Sequence, residues 1–310
     1  MALEFLAALF GPRLKLPADQ VTRPNAAAKK AAAPHAAAIQ ATLDKISGLP
    51  GIADMKETKR LPRGFTPLFK ELLHAVDAYH DALRGPMGLT DAKRPGEPGG
   101  CNACFTAPVG VSAIEALNIY RVARPWKDFG EVVRALVELA QEQYKDVQAG
   151  ATGKDAEKVR FGGKAVQNGR LTFAKKLHAC PLLDASTQRC RVWNDRPITC
   201  RMQHPISPPE HSLPSHEGFP KSVRSKNLRL PVRAQVTLTQ LDKRMGLELS
   251  PFLYASVPQI AQITEGQQLA EAGEAPVRMQ QDGSVARPAN RNVAHAKKFQ
   301  KDKKKKSRKK

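Results

Sequence analysis

The stretch Cys180–Arg201, CPLLDASTQRCRVWNDRPITCR, carries three cysteines at even intervals of ten residues. Upstream, the sequence GGCNAC adds a C-x-x-C pair. Such a turn points two sulfurs toward one ion, and a tetrahedral site needs four ligands of this kind. We therefore interpret all the cysteines of this 310-residue chain as one metal-binding constellation. Its candidate ligands are Cys101, Cys104, Cys180, Cys190 and Cys200.

Two alternatives to a metal site stay open for these cysteines. A lone thiol packs in a core as a small hydrophobic group. Disulfides would require an oxidising compartment. The N-terminal sequence MALEFLAALF has no basic region before its apolar run and contains Glu4 within it, so we do not expect a secretory signal.

The order of these residues resembles a known family. C-x-x-C, a long insert, C-P-L-L-D, C-x-x-W and R-P-x-x-C-R are similar to the YkgJ-type cysteine-cluster proteins, over about residues 95–205. The resemblance implies a zinc- or iron-chelating domain, with the five cysteines as ligands. It also implies framework positions at Pro181, Arg196, Pro197 and Arg201. The family often has a further cysteine after the first pair, where this chain has Phe105.

The identity of the metal stays open at this point. Zinc favours a closed site of four thiolates, and a four-iron cluster also takes four cysteines. The expected cofactor is therefore zinc or an iron–sulfur cluster, held by four of the five thiols. The resemblance extends to relatives of flagellin lysine N-methylase, which implies that a protein-modifying activity is conceivable. The sequence supplies no recognisable acid–base pair, so it does not decide whether the protein is an enzyme.

Apolar residues recur at helical spacing in several parts of the chain. This spacing predicts helices over residues 65–83, 112–124, 128–147 and 233–249, and a last one within 251–272. Ser112 and Glu115 form a capping-box signature, and Pro125 is expected to end the helix that they begin. We therefore predict a mainly α fold, an irregular helical domain with cysteine-bearing loops.

The predicted domain organisation has three parts. Residues 1–60 form an N-terminal segment, in which the Ala-rich residues 24–39 are either a linker or a marginal helix. Residues 61–272 form the helical cysteine-cluster domain. Residues 273–310 are polar and poor in large hydrophobic residues, which predicts a disordered basic tail.

The charge of the chain points to an anionic partner. Fifty Lys and Arg residues against 29 Asp and Glu residues give a net charge of +21, and residues 297–310 contain ten basic residues and one acidic residue. Such a tail binds phosphate backbones by releasing their counterions. We expect a nucleic acid or an acidic protein as partner, with a solubilising extension as the alternative. No stretch is long and apolar enough for a membrane span, so we expect a cytoplasmic protein without membrane contact.

Charged and imidazole side chains flank the cysteines. Arg191, Arg196 and Arg201 either lower thiol pKa values and offset the charge of a thiolate site, or are ordinary surface charges. His178 and His204 are able to replace a cysteine as ligand, although we expect them first to support the site or lie on the surface. His74 and His80 are expected to be surface or packing residues of their helix.

Overall fold

The computed structural model describes residues 21–90, 109–150, 178–184, 189–208 and 225–272, together with residues 168, 169, 172, 173, 175, 176, 186, 187, 211 and 217. Within these residues the chain is mainly helical, which confirms the predicted fold class. The helices are α1 (Ala26–Ser47), α2 (Met55–Thr58), α3 (Phe65–Arg84), α4 (Ala113–Ala123), α5 (Phe129–Gly150), α6 (Ile198–Arg201), α7 (Val232–Met245) and α8 (Leu253–Ile263). The strands are β1 (Val21–Thr22), β2 (Leu183–Asp184), β3 (Arg189–Cys190), β4 (Gln203–Pro205) and β5 (Ser225–Leu228).

Helix α1 includes most of the Ala-rich segment, for which the sequence left a linker and a marginal helix open. It is a helix of 22 residues that packs along α3. Its buried side chains are Ala28, Ala32, Ile39, Thr42, Leu43 and Ile46. Small alanines on this face let the two helices approach closely. Residues 26–47 therefore share one hydrophobic core with residues beyond 60, and the predicted boundary at residue 60 does not separate two packed units.

Helix α3 confirms the predicted helix over residues 65–83 almost residue for residue. Its buried face is Phe65, Phe69, Leu72, Leu73, Val76, Tyr79, His80 and Leu83. Burying a large aliphatic or aromatic side chain stabilises a fold by about 1.5–3 kcal/mol. The stripe is thus sufficient to hold α3 against α1. Asp77, whose carboxylate binds Arg201, lies at the border of this face.

Helices α4 and α5 also follow the predictions. The capping box at the start of α4 is present: Glu115 Oε2 accepts from the backbone N–H of Ser112 at 2.8 Å. Helix α4 ends at Ala123, shortly before Pro125. Almost all of α4 is buried, because α8 packs on it as well as on α5.

The helix predicted over residues 233–249 ends earlier than expected. Helix α7 stops at Met245, because Gly246 takes a left-handed conformation with φ +62°. Leu249 therefore lies after the helix and not on its apolar face. The last predicted helix is α8, within residues 251–272.

The described residues form two small sheets, of which the first joins distant parts of the chain. In the first, β5 lies between β1 and β4, parallel to β1 and antiparallel to β4, so that Asn227 pairs with both Val21 and Gln203. In the second, β2 and β3 form a hairpin. The first sheet thus ties residues 203–205, just after the last cysteine, to the start of the described chain.

None of the helices in the described ranges is both long enough and apolar enough to cross a membrane. The N-terminal residues 1–20, the Cys101–Cys104 pair and the basic tail 273–310 lie outside the described residues, as do the predictions made for them.

Candidate metal centre

Of the predicted ligands, Cys190 lies on the hairpin of β2 and β3, and Cys180 lies just before it. Cys190 pairs with Leu183, and Leu183 follows Cys180 by three residues. The backbone N–H of Leu183 donates to the carbonyl of Cys180 at 2.9 Å, which folds the chain back at this point. Cys180 is buried, and Cys190 is half-buried. The small hairpin therefore brings the backbone around these two cysteines together.

Asp184 builds the turn of this hairpin. Its Oδ1 accepts from the backbone N–H of Ser186 at 2.9 Å and of Thr187 at 3.0 Å, and from the Ser186 hydroxyl at 2.6 Å. The hydroxyl and amide donors hold the pKa of the Asp184 carboxyl below its usual value. Asp and Ser are residues that favour such turns, since their side chains replace backbone hydrogen bonds locally.

The third described cysteine, Cys200, is buried on the single turn of α6. Arg201 beside it is one of the most buried arginines, with 1% of its side chain exposed. Its guanidinium binds the carboxylate of Asp77 on α3 and donates to the carbonyls of Arg196 at 3.0 Å and Asn194 at 2.5 Å. The last arginine of the R-P-x-x-C-R sequence thus binds backbone carbonyls that precede Cys200, and its contact with Asp77 attaches this segment to α3.

Arg196 is a second buried arginine that contacts Asp77. Its side chain is 4% exposed and lies 3.6 Å from Asp77, and its guanidinium stacks on the ring of Trp193 at 3.7 Å from the centroid. It also donates to the Trp193 carbonyl at 2.8 Å. The surface-charge alternative is therefore wrong for Arg196 and Arg201, because both are buried and bound to Asp77.

Glu115 supports α6 from the other side. Its Oε1 accepts from the backbone N–H of Ile198, the first residue of α6, at 2.5 Å. The same carboxyl caps α4 through Ser112. Burial raises the pKa of Glu115, and the hydrogen bonds from Ser112 and Ile198 and the charge of Arg201 act against that rise. One buried carboxyl thus fixes the starts of two helices.

Arg191 is part of a separate contact on the far side of the hairpin. Its two terminal nitrogens donate to both oxygens of Asp128, at 2.5 and 2.7 Å. Its guanidinium also stacks on Trp126, 3.8 Å from the ring centroid. This bidentate pair holds the pKa of Asp128 below its usual value. Arg191 therefore joins the hairpin to the segment that precedes α5.

His178 positions the chain just before Cys180. Its Nε2 lies 2.8 Å from Oε2 of Glu142 on α5, and its ring contacts Phe173. Lys176 binds both Glu142 and Asp146 at 2.8 Å. The hydrogen bonds from Lys176 and His178 lower the pKa of Glu142. His178 thus supports the cysteine segment, as the sequence led us to expect.

A pair of buried histidines lies between α3 and β4. His80 is 2% exposed and His204 is fully buried, and their ring centroids are 5.9 Å apart. The guanidinium of Arg84 lies 3.4 Å from Nδ1 of His204. Nothing in the sequence points to this pair, since the two histidines are 124 positions apart. His80 nevertheless occupies a buried position of α3, in agreement with its predicted packing role.

The described cysteines do not by themselves complete a metal site. In the part of the chain that the structure describes, no three His, Cys, Asp or Glu side chains gather into a group that could hold a metal ion. The predicted convergence with Cys101 and Cys104 lies outside the described residues. A site of the predicted kind therefore needs ligands from both parts of the sequence.

The sequence missed the two carboxylates that hold the cysteine segment. Asp77 lies on the polar face of an amphipathic helix, where an acidic residue is unremarkable, and Glu115 gave a signal only as a helix cap. Neither carboxylate is close in sequence to the cysteine segment that it holds. Comparison of the chain with protein-family models, with curated proteins and with solved structures gives no match.

Proposed function

We propose that this chain is a metal-binding cysteine-cluster protein of the YkgJ type, which holds zinc or an iron–sulfur cluster with four of its five thiolates. The candidate ligands are Cys101, Cys104, Cys180, Cys190 and Cys200. The sequence order of these cysteines supports the proposal. A role in redox chemistry or group transfer is the activity that such a centre would supply.

The observation that carries the proposal is the construction around Cys200. Two buried arginines, a shared aspartate and a buried glutamate hold a single helical turn that has few large apolar side chains of its own. Burying charged groups is costly unless each is paired. Buried charges that are costly to desolvate are expected where one side chain must be held in a fixed position. On this turn, Cys200 is the residue whose side chain can bind a metal.

Metal analysis after anaerobic purification tests the proposal directly. We expect stoichiometric zinc, or stoichiometric iron with the visible absorption of an iron–sulfur cluster. The double variants Cys101→Ser/Cys104→Ser and Cys190→Ser/Cys200→Ser are each expected to lose most of the metal, because only three of the five thiols remain for a four-coordinate site. Asn194→Ser is the matched control, since Asn194 is exposed in the same segment and is not a candidate ligand.

The same variants test whether the metal and the fold are coupled. A bound metal contributes roughly 10 kcal/mol or more to a small segment. We expect Cys190→Ser/Cys200→Ser to become protease-sensitive within residues 180–201 while most of its helical circular dichroism survives. Retention of both metal and protease resistance in this variant would show that Cys190 and Cys200 are not ligands.

We further propose that the protein works in the cytoplasm, where thiols stay reduced. The free thiols of Cys180 and Cys200 support this placement. Oxidised, disulfide-linked protein isolated from a periplasmic fraction would contradict it.

A second candidate function rests on the charge of the tail. Residues 297–310 carry ten basic residues and one acidic residue. In this proposal the metal site is structural, and the tail binds RNA, DNA or an acidic protein. Deletion of residues 297–310 is expected to weaken binding to a single-stranded RNA and to flatten its salt dependence, since fewer counterions are released. Unchanged affinity and salt dependence would favour the solubilising alternative.

A further inference from the structure

A cavity of about 1010 Å³ lies next to the cysteine-bearing segment. Its lining comes from the residues before α4, from α6, from β5 and from α7. Thr199, the neighbour of Cys200, contributes to one wall. Pockets that bind small molecules measure roughly 300–1,000 Å³, so this cavity is large enough for an organic ligand.

Much of the cavity lining is apolar. It includes Val109, Ile198, Met202, Leu238 and Phe252. Such a surface favours a ligand with an apolar body, because water leaves both surfaces when they meet. Polar groups also line the cavity, among them the side chains of Gln235 and Thr239. A mainly apolar lining with a few polar groups is typical of ligand sites.

The charges that line the cavity are unbalanced. Arg229 and Lys243 are both exposed, and neither has an ion-pair partner within the described ranges. The carboxyl group in the same lining is that of Glu115, which is buried and already accepts from the starts of two helices. Asp242 and Glu248 line a smaller adjoining cavity of about 380 Å³ and not this one, whereas Lys243 lines both cavities. Two cations are therefore available to a ligand here, and among the described residues of this lining no exposed carboxylate opposes them.

We propose that this cavity binds a small organic anion, a carboxylate or sulfonate with an apolar body. The apolar body contacts Leu238, Met202 and Phe252, and the acidic group contacts Arg229 and Lys243. Charge complementarity selects this class over cations and neutral molecules, since two cations of like sign repel a cationic ligand. The inference does not depend on the metal site.

Two anionic probes and their neutral counterparts test the proposal by calorimetry. Decanoate is compared with decanol, and naphthalene-2-sulfonate with 2-naphthol. We expect at least one anion to bind with one-to-one stoichiometry and about tenfold more tightly than its neutral counterpart, with weaker binding at high salt. The proposal is wrong if neither anion binds, or if the neutral molecules bind as tightly.

Matched variants locate the binding site. Arg229→Gln/Lys243→Gln is expected to lower the affinity for the anion about tenfold and to leave that for its neutral counterpart unchanged. Arg233→Gln is the charge control, because Arg233 lies on α7 but does not line the cavity. If the control weakens binding as much as the double variant does, only the overall charge is at work.

A blocking variant gives a second, independent readout. Thr239 is exposed on α7 and lines the cavity, so Thr239→Trp is expected to obstruct it and weaken binding at least tenfold without disturbing the core. Gln240→Trp, at the next exposed position and outside the lining, is expected to bind the probe normally. Circular dichroism and metal content should match the unmodified protein in both variants. Normal binding by Thr239→Trp would place the probe elsewhere and overturn the proposal.

Discussion

The α1–α3 pair and the cysteine-bearing segment 178–205 lie in the same chain but are held by different forces. The pair is stabilised by a continuous apolar face, in which small alanines of α1 meet the large side chains of α3. The cysteine segment depends on buried polar contacts, above all those of Arg201 and Arg196 with Asp77. Apolar contacts tolerate small adjustments, whereas a buried charge that loses its partner is costly.

This difference has a consequence for function. An apolar stripe holds a helix in place, but it fixes no single side chain with particular accuracy. The arginine–aspartate network instead ties the backbone on both sides of Cys200 to a specific carboxylate on α3. The molecule therefore places its strongest directional contacts beside a candidate ligand and leaves its scaffold to hydrophobic burial.

The largest effect that distinguishes the two regions is expected for Arg201→Met. The change leaves Asp77 with one cationic partner and removes the donors to the Arg196 and Asn194 carbonyls, so it should destabilise the fold by about 3–5 kcal/mol. Urea denaturation measures this loss. Limited proteolysis should show new cleavage within residues 189–208 before the helices unfold.

Leu72→Ala is the matched comparison in the helical pair. It removes a fully buried side chain from α3 and should cost about 2–5 kcal/mol. Because the contact is part of the main core, we expect one cooperative transition at lower denaturant and no selective cleavage at 189–208. Identical proteolysis patterns for the two variants would show that the regions do not differ in this way.

A smaller, pH-dependent effect is expected at Asp242 on α7, outside both regions. Its Oδ1 accepts from the backbone N–H of Ala113 at 2.8 Å, and burial raises the pKa of Asp242 to about 7 from its usual 3.8, with a smaller contribution from Glu115. Between these pH values the folded state binds a proton that the unfolded state has lost. The contribution of protonated Asp242 to stability is therefore complete below pH 4 and is lost as the pH rises toward 7.

Asp242→Asn keeps the acceptor for Ala113 and removes the titration. We expect it to be more stable than the unmodified protein by about 1–3 kcal/mol at pH 8, a range discounted for partial exposure, and to show no such gain at pH 4. Denaturation curves at the two pH values measure the difference. A stability difference that does not change with pH would contradict the assignment.

The smallest effect is expected at the start of α1. The side chain of Asn25 caps this helix by accepting from the backbone N–H of Ala28 at 2.8 Å. Asn25→Ala should cost about 1 kcal/mol, within the range usual for such caps. Thermal unfolding followed by circular dichroism measures the change. A loss comparable to that of Leu72→Ala would mean that the cap, and not burial against α3, holds α1 in place.

Much of the helical scaffold could be predicted from the sequence. The stripes of α3 and α5 and the capping box of α4 depend on spacing within one helix, which the sequence records directly. The predicted end of α7 is four residues too late, because the apolar spacing continues to Leu249 beyond the glycine that stops the helix. The Ala-rich segment stayed undecided, since alanine carries too little hydrophobic signal to reveal a buried face.

The sequence by itself determined which residues have ligand chemistry, and the tertiary structure alone decided how they are held. Asp77 lies 124 residues before its partner Arg201, and Glu115 lies 83 residues before Ile198. His80 and His204 meet only because β4 follows α6 across the face of α3. Periodicity describes neighbours along one element, whereas these contacts depend on how separate elements pack. A buried charge finds its partner only after the chain has folded, and for that reason the network around Cys200 was not predictable from the sequence.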